Sequence, residues 1–341
     1  MKIAVLMGGI SEERPVSLAS GTQVARALRE AGHEVVGVDT GQGVLSPSEE
    51  EAILDSGVGD PNPEQVKGDM LSTGDLRALT QDPRLSETDV VFLALHGGRG
   101  EDGTIQALLG LAGLPFVGSD RVGCALAMDK DLTKRLLRDQ GIPTPDWITT
   151  EGEEEGEDRL DEILNRLGLP LIVKPPSGGS TLGLTLVHEK EDLRNALALS
   201  LSFQKEVMFE AYVPGREVTV GILGTQPLPV GEIIPEHELF DYECKYRPGM
   251  AQEIFPADLP VEAARRVQKD AMEVHRTLRL RDFSRVDFIL DSEGTPWCLE
   301  ANALPGFTGN SLLPKAARAS GITFPQLCHS LAEMAFLRGR G

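Results

Sequence analysis

The chain is short of positive charge, aromatic residues and histidine, and it has no long apolar run. Against 53 aspartates and glutamates stand only 33 lysines and arginines, a formal net charge of -20. That balance disfavours non-specific nucleic-acid binding, which relies on a basic footprint. Cys124, Cys244, Cys298 and Cys328 are scattered, with no C-x-x-C pair and few histidines nearby. A disulfide framework and a structural zinc site are thereby disfavoured, and the cysteines read as reduced thiols filling the core. The start, "MKIAVLMGG", is too short in its apolar stretch and lacks the cleavage pattern of a signal peptide. It reads as a buried first strand of a cytoplasmic protein, with no membrane insertion expected. The acidic stretch "TEGEEEGED" at 150–158 reads as a solvated loop.

What is present describes a globular enzyme-sized chain. Its 341 residues, 40% hydrophobic and 25% charged, exceed one ordinary core and suit two or three domains around a cleft. "IAVLM", the helical pattern of "VSLASGTQVARALREAG", and "HEVVGV" alternate strand with helix, as parallel α/β architecture does. From Gly41 to about Glu87 the chain is polar and broken, a long surface connection with one short helix. "VVFLAL" at 90–95 then runs into "HGGRGEDG", and a strand ending in a glycine-rich loop is where open α/β sheets place ligands. A second segment begins near Ser119, with one helix carrying Lys130 and Lys134. "LPLIVKPPSGGSTLG" follows as a strand ending in Lys174 and a flexible loop. The third segment holds "REVTVGIL", the helix "PVEAARRVQKDAMEVHRTL", and two short apolar segments around "SRVDF" and "EANALPGFT".

Those last two segments carry alternating polar residues. Strand side chains alternate faces, so Arg285 and Asp287 project together on one segment, and Glu300 and Asn302 likewise share a face of theirs. If the segments pair, three oxygen ligands and a guanidinium converge, a set suited to a hard cation such as Mg²⁺ on substrate phosphates. Periodicity alone leaves a salt-bridged outer hairpin face as an equal reading. Lys174 precedes a loop of small residues whose backbone N–H groups can approach phosphate oxygens. The loop is neither a Walker loop nor a G-x-G-x-x-G fingerprint, and taken alone a bare flexible loop explains it as well.

Eight segments together carry a resemblance: "MGGISEERPVSLASG", "LHGGRGEDGTIQ", "LPFVGS", "AMDKDLTK", "IVKPPSGGSTLG", "DYECKY", "SRVDF" and "EANALPGFTGNSLLP". In this order they resemble the D-alanine–D-alanine ligases of the ATP-grasp superfamily, from Gly8 to beyond Pro314. The resemblance implies a three-domain α/β fold, with a Rossmann-like parallel α/β domain at 1–118 and two α+β domains, 119–213 and 214–341, clamping ATP. It implies ATP-dependent phosphorylation of one D-alanine and attack by the amine of a second, for peptidoglycan precursors, with two Mg²⁺ or Mn²⁺ ions and a homodimer.

Residue by residue, the resemblance implies that Lys130 and Lys174 hold the ATP phosphates and that Lys245 reaches the γ-phosphate. Asp287, Glu300 and Asn302 would bind the metal. Glu210 and Glu217 would flank the adenine pocket, Glu217 on the ribose, with backbone groups near Ala211 and Val213 on the base. Glu13 would accept the ammonium of the first D-alanine, beside Val16 and His96. Ser311 and Leu312 would take the second carboxylate at a helix N-terminus, together with Arg285. Arg285 and the backbone at Gly306 would stabilise the oxyanion, while Ser180 and Tyr246 would join Glu13 in closing the site. Tyr246 favours an amine nucleophile over D-lactate.

The sequence departs from the family pattern at Pro15, Gly110, Thr181, Phe240, Ala303 and Phe307, none of them a metal or phosphate ligand. Other readings are a ligase joining D-alanine to a different D-amino acid, or a nucleotide-binding homologue without catalysis. The intact set Lys174, Arg285, Asp287, Glu300 and Asn302 speaks against the second. A dinucleotide oxidoreductase is opposed by the missing glycine fingerprint.

Overall fold

The computed structural model describes residues 1–9, 11, 13–57, 83–178, 183–240, 244 and 249–340. The first sheet contains β1 (Lys2–Met7), β2 (Glu34–Asp39), β3 (Gly43–Val44) and β4 (Val90–Leu93), in the order β3-β2-β1-β4. β1 is parallel to both β2 and β4, and β3 runs antiparallel at the edge. Ile3 to Met7 are all buried, as expected of a strand covered on both faces. Helix α1 (Arg14–Glu30) starts with Pro15 in its first turn, where proline's missing N–H costs nothing, and buries Val16, Val24 and Leu28.

The connection from Gly41 to Glu87 is more structured than expected. It supplies β3, α2 (Pro47–Ser56) and the short α3 (Pro83–Ser86), while residues 58–82 lie outside the described set. Ser46 and Glu49 cap α2 reciprocally, the capping box that the intervening polar composition obscured. Helix α4 (Thr104–Leu111) follows the glycine loop after β4.

The helix expected near Ser119 is two helices, α5 (Arg121–Met128) and α6 (Lys130–Asp139). Asp129 breaks them: its backbone is extended and its side chain accepts from the Leu132 N–H, capping α6. The second sheet joins β5 (Trp147–Glu151), β6 (Leu171–Lys174), β7 (Thr185–Val187) and β8 (Glu206–Ala211) in the antiparallel order β5-β8-β6-β7. The acidic stretch at 150–158 is no loop: it ends β5 and forms α7 (Gly152–Asp158). Glutamate is a good helix former and is favoured in a first turn, and Arg159 bridges Glu155 at 3.1 Å and Glu162 at 2.9 Å. Helices α8 (Leu160–Leu167) and α9 (Leu193–Leu201) complete this layer.

The third sheet runs β12-β11-β9-β13-β14, with β10 beside β9. Its strands are β9 (Arg216–Leu223), β10 (Gln226–Pro227), β11 (Gly231–Pro235), β12 (Ala251–Ile254), β13 (Phe283–Leu290) and β14 (Pro296–Asn302). Helix α10 (Val261–Thr277) packs on it, and α11 (Leu312–Ala319) and α12 (Phe324–Arg338) end the chain.

The cores recruit distant segments. Cys124, Ala127 and Leu137 of α5 and α6 lie in the third sheet's core with Val218, Val286 and Phe288, while Lys134 and Asp131 of α6 bond Glu210 and Trp147 of the second sheet, so α6 sits between the two. Leu327, Leu331 and Ala335 of α12 join the first sheet's core. Phe307, where the family pattern has methionine, contacts Phe92, Phe283 and Phe324 at ring separations of 5.4 to 5.8 Å. All four cysteines are free and buried, and burial pushes the thiols of Cys124, Cys298 and Cys328 up.

Asp282, just before β13, fastens these parts together. Its buried carboxylate accepts the Gly118 N–H at 2.8 Å and a fork from Arg338 of α12 at 2.5 and 2.9 Å. Arg338 also donates to the Phe116 carbonyl at 2.7 Å. Asp282→Asn preserves volume but removes the charge from this fork, and should lower stability by about 1–3 kcal/mol in urea unfolding followed by tryptophan fluorescence. A change within about 0.5 kcal/mol, the range of an ordinary surface substitution, would show that the fork does not hold α12 in place.

Candidate active site

The centre of the site is the β13–β14 ladder. Arg285 lies directly opposite Asn302, and Asp287 opposite Glu300. Val286 and Phe288 point to the other face and are wholly buried, so the apolar half of the pattern fixes which face the polar half takes. Between the Asp287 and Phe288 pairings the register shifts, leaving Leu299 as the extra residue of a bulge. Leu299 and Glu300 therefore both line the cleft while Cys298 is sealed in the core.

Asp287 is densely hydrogen-bonded. It accepts from Thr219 Oγ1 at 2.7 Å, Arg285 Nε at 2.9 Å, Arg285 Nη2 at 2.8 Å and Asn302 Nδ2 at 3.0 Å. Glu300 lies 3.3 Å from Lys130 Nζ. Two carboxylates and one amide suit a hard cation such as Mg²⁺, which takes one or two carboxylates and fills its remaining positions with phosphate and water oxygens. Turning the Asn302 amide over presents its oxygen to the same point. Among the described residues there is no cluster of three or more histidines, cysteines, aspartates or glutamates placed to hold a metal.

A second charged cluster stands across the cleft. Lys174 at the end of β6 donates to Glu210 of β8 at 2.6 Å, and Lys134 of α6 donates to the other carboxylate oxygen at 2.5 Å. Burial by itself would raise the Glu210 pKa, but the two ammonium groups overcome it and hold the carboxyl at about 2. Burial pulls Lys134 below its ordinary range, with Glu210 opposing and the like charge of Lys174 adding. Lys130, one turn before Lys134, donates to the Gly178 carbonyl at 2.9 Å.

Two cavities meet here. The first, about 160 Å³, has apolar walls from Ile172, Leu184, Val213, Phe240, Ile289 and Leu299, with a charged end. It holds Lys130, Lys174, Glu210, Ala211, Val213, Glu217, Arg285, Asp287 and Glu300 of the expected set. The second, about 660 Å³, holds Glu13, Val16, His96, Arg285, Glu300, Asn302, Gly306, Ser311 and Leu312. Lys130, Gly178, Phe240, Arg285 and Glu300 line both. Ser180, Lys245 and Tyr246, and the departure Thr181, lie outside the described residues.

The family of D-ala D-ala ligases matches at residues 2–119 (N-terminus) and 136–333 (C-terminus). The chain belongs to the D-alanine–D-alanine ligase family. It is 38% identical to a D-alanine--D-alanine ligase of Pelotomaculum thermopropionicum, over 98% of this chain and 96% of that one. One from Bordetella avium is 40% identical, over 96% and 92%. Among solved structures, the D-alanine--D-alanine ligase of Bacillus anthracis complexed with ATP is 31% identical with a TM-score of 0.79, covering 100% of this chain and 99% of that one. The VanG D-Ala:D-Ser ligase of Enterococcus faecalis is also 31% identical, with a TM-score of 0.82, covering 98% and 99%.

The second cavity is built from the loops this family motif encodes. His96 is buried, with Nε2 3.1 Å from Ser20 Oγ and Nδ1 3.5 Å from Glu101. Burial raises the Glu101 pKa; His96 opposes the shift and the neighbouring charge of Glu13 adds to it. Ser311 occupies the N-cap position of α11, and its Oγ accepts the Thr308 N–H at 3.0 Å. A Cβ on Gly306 would stand 3.2 Å from that oxygen, a tight approach that the Ser311 hydroxyl would have to yield to. Lys315, one turn into α11, pairs with Glu253 of β12 in the same cavity.

Sequence reasoning assigned no role to Lys134, Glu101, Thr219, Glu253 or Lys315. Lys134 carried one signal, its four-residue spacing from Lys130, and Glu101 another, its place in "HGGRGEDG". The remaining three depend on pairings far apart in the chain.

The depressed Glu210 pKa fixes a pH dependence. Because it lies below the ordinary value of 4.5, Glu210 contributes stability above about pH 4.5, lost as pH falls towards about 2. Its contribution at neutral pH is on the order of 3 kcal/mol. Urea unfolding of Glu210→Gln should lose the acid-dependent component across that window relative to the native chain. Identical pH profiles would mean that the two lysines do not hold the carboxylate ionised.

Proposed function

We propose that the chain joins two D-alanine molecules at the cost of one ATP, with Lys130, Lys174, Arg285 and the β13–β14 carboxylates as the reacting centre. The observation that carries this reading is the shared wall: an apolar slot with a charged end opens onto a polar basin at Lys130, Arg285 and Glu300. Family membership and relatives bearing the same name at 38–40% identity support it.

In the first step a carboxylate oxygen of one D-alanine attacks the γ-phosphorus. The new O–P bond forms as the bridging bond to the β-phosphate breaks, releasing ADP. Lys130 and Lys174 hold the phosphates, and Lys245 reaches the γ-phosphate; phosphoryl transfer is chiefly positioning and charge neutralisation. The adenine lies in the apolar slot beside Glu210, Ala211 and Val213, with Glu217 on the ribose. Asp287, Glu300 and Asn302 would hold two Mg²⁺ or Mn²⁺ ions, which when bound would supply positive charge to neutralise the phosphates.

In the second step the amine of the other D-alanine attacks the acyl carbon. The C–N bond forms, the C–O bond to phosphate breaks, and the amine proton leaves, giving D-alanyl-D-alanine and phosphate. Arg285 and the backbone at Gly306 stabilise the oxyanion, a role best served by donors fixed in advance. Glu13 takes the first ammonium near Val16 and His96, and Ser311 and Leu312 at the start of α11 take the second carboxylate. Ser180 and Tyr246 close the site with Glu13, excluding water that would hydrolyse the acyl phosphate.

In the same reading, units 1–118, 119–213 and 214–341 form the clamp, with α12 returning to the first. The chain works as a homodimer in the cytoplasm, supplying peptidoglycan precursors. Among the described residues no helix is long and apolar enough to cross a membrane. The likeness to the VanG D-Ala:D-Ser ligase supports a second reading, D-serine as the second amino acid.

Phosphate release with ATP, Mg²⁺ and D-alanine alone, with product identified by mass, should give the dipeptide. Turnover only with a D-alanine and D-serine mixture would select the second reading, and no turnover with either would overturn ligation. Glu300→Gln should cut the rate at least a hundredfold with an unchanged circular dichroism spectrum. Substantial activity of that variant at saturating Mg²⁺ would remove Glu300 from the metal site.

A further inference from the structure

Lys134 is the most completely enclosed charged side chain near the site. Its side chain is 0% exposed, against 9% for Lys174 and 3% for Glu210, and it lines neither cavity. It donates to Glu210 at 2.5 Å and to Thr144 Oγ1 at 2.7 Å, and its ammonium lies 5.1 Å from the centre of the Trp147 ring. Thr144 Oγ1 in turn donates to the Cys298 carbonyl at 2.9 Å. That carbonyl immediately precedes the bulge that turns Leu299 and Glu300 towards the cleft.

We infer that Lys134 is a positioning residue of the nucleotide site: from behind the cleft it fixes Glu210 against Lys174 and ties that pair, through Thr144, to the strand carrying Glu300.

Three physical points carry this. First, a buried ammonium is expensive, and a buried ion cluster replaced as a whole by apolar side chains is commonly as stable or more so, so stability alone does not explain why ionised groups stand here. Second, Glu210 and Lys174 would already form a neutral pair. Lys134 makes the cluster net positive by one behind the wall of a cleft read as binding an anionic nucleotide, where low-dielectric surroundings strengthen its field. Third, the helix puts Lys130 and Lys134 on one face, one turn apart. Lys130 reaches forward to Gly178 and Glu300, and Lys134 reaches back to Glu210 and Thr144. One rigid turn of α6 thus sets the spacing between the lysine cluster and the metal-bearing strand. Each Glu210 oxygen has a second lone pair, so both lysine bonds are compatible with Glu210 facing a ligand from the cavity wall.

The inference rests on the nucleotide reading of the first cavity, and calorimetric titration of the native chain with Mg²⁺ and ATP tests that reading first. No heat of binding there would overturn the nucleotide site itself. Given binding, Lys134→Met should weaken ATP affinity and raise KM for ATP about tenfold or more, the loss expected for a charge-assisted hydrogen bond. KM for D-alanine should stay within about twofold, because Lys134 does not line the second cavity. Lys134→Gln, whose amide still donates to Glu210, should recover part of the loss. Native ATP affinity in folded Lys134→Met, or a fall in kcat with both KM values unchanged, would overturn the positioning role and leave a structural one. If Lys134→Met does not fold, Thr144→Val decides: it retains every charge and cuts the link to β14. About a fivefold or greater rise in KM for ATP is expected, because the hydroxyl's bonds to Lys134 and to the Cys298 carbonyl are both lost, and a native value would overturn the inference.

Discussion

The antiparallel register that sets Arg285 against Asn302 and Asp287 against Glu300 is the constraint on which the site depends. Strand side chains repeat every two residues, so a slip of one position would turn all four polar groups into the core and expose Val286 and Phe288. The apolar face forbids that slip, since both residues are fully buried against α5, α6 and α10. Stability and chemistry therefore occupy opposite faces of the same two strands. The bulge at Leu299 refines the arrangement, turning Leu299 to the cleft beside Glu300 without moving Cys298 out of the core.

Charge is the second constraint. In a chain with a net charge of -20, an anionic nucleotide is attracted only where cations are gathered locally. Lys130, Lys174, Lys134 and Arg285 are gathered from three separate segments, and each has a carboxylate partner: Glu300, Glu210 or Asp287. The pairing keeps the lysines and arginine aimed before a ligand arrives, which matters for a reaction limited by positioning. It also explains why so many ionised groups are sheltered in one place despite the cost of desolvation.

Much of this was legible in the sequence where a local rule governs it. The two-residue alternation in "SRVDF" and "EAN" gave the shared faces, and the apolar runs gave β1, β2, β4 and β6. Motif order supplied the identities of the side chains now found around the two cavities. Non-local pairings were not legible. Glu210 lies 76 residues from Lys134, and nothing in "AMDKDLTK" names its partner. The bulge leaves no compositional mark, and the acidic stretch at 150–158 looked like a loop because its charge hid good helix propensity. Asp129 broke one expected helix into two through a cap that is visible only in the backbone.

The chain has the same identity to a ligase complexed with ATP as to one named for D-alanine and D-serine, with TM-scores of 0.79 and 0.82. The overall fold is thus common to both, and so is not what distinguishes their second amino acids. In the reading proposed above, the second amino acid meets the second cavity at Arg285, Ser311 and Leu312. There Ser311 stands at the start of α11, with Lys315 one turn on and paired to Glu253. An apolar pocket scarcely rejects an added hydroxyl, whereas a site built to bond a substrate hydroxyl strongly rejects the analogue that lacks it. In that reading the polarity of this wall bears directly on which amine is accepted.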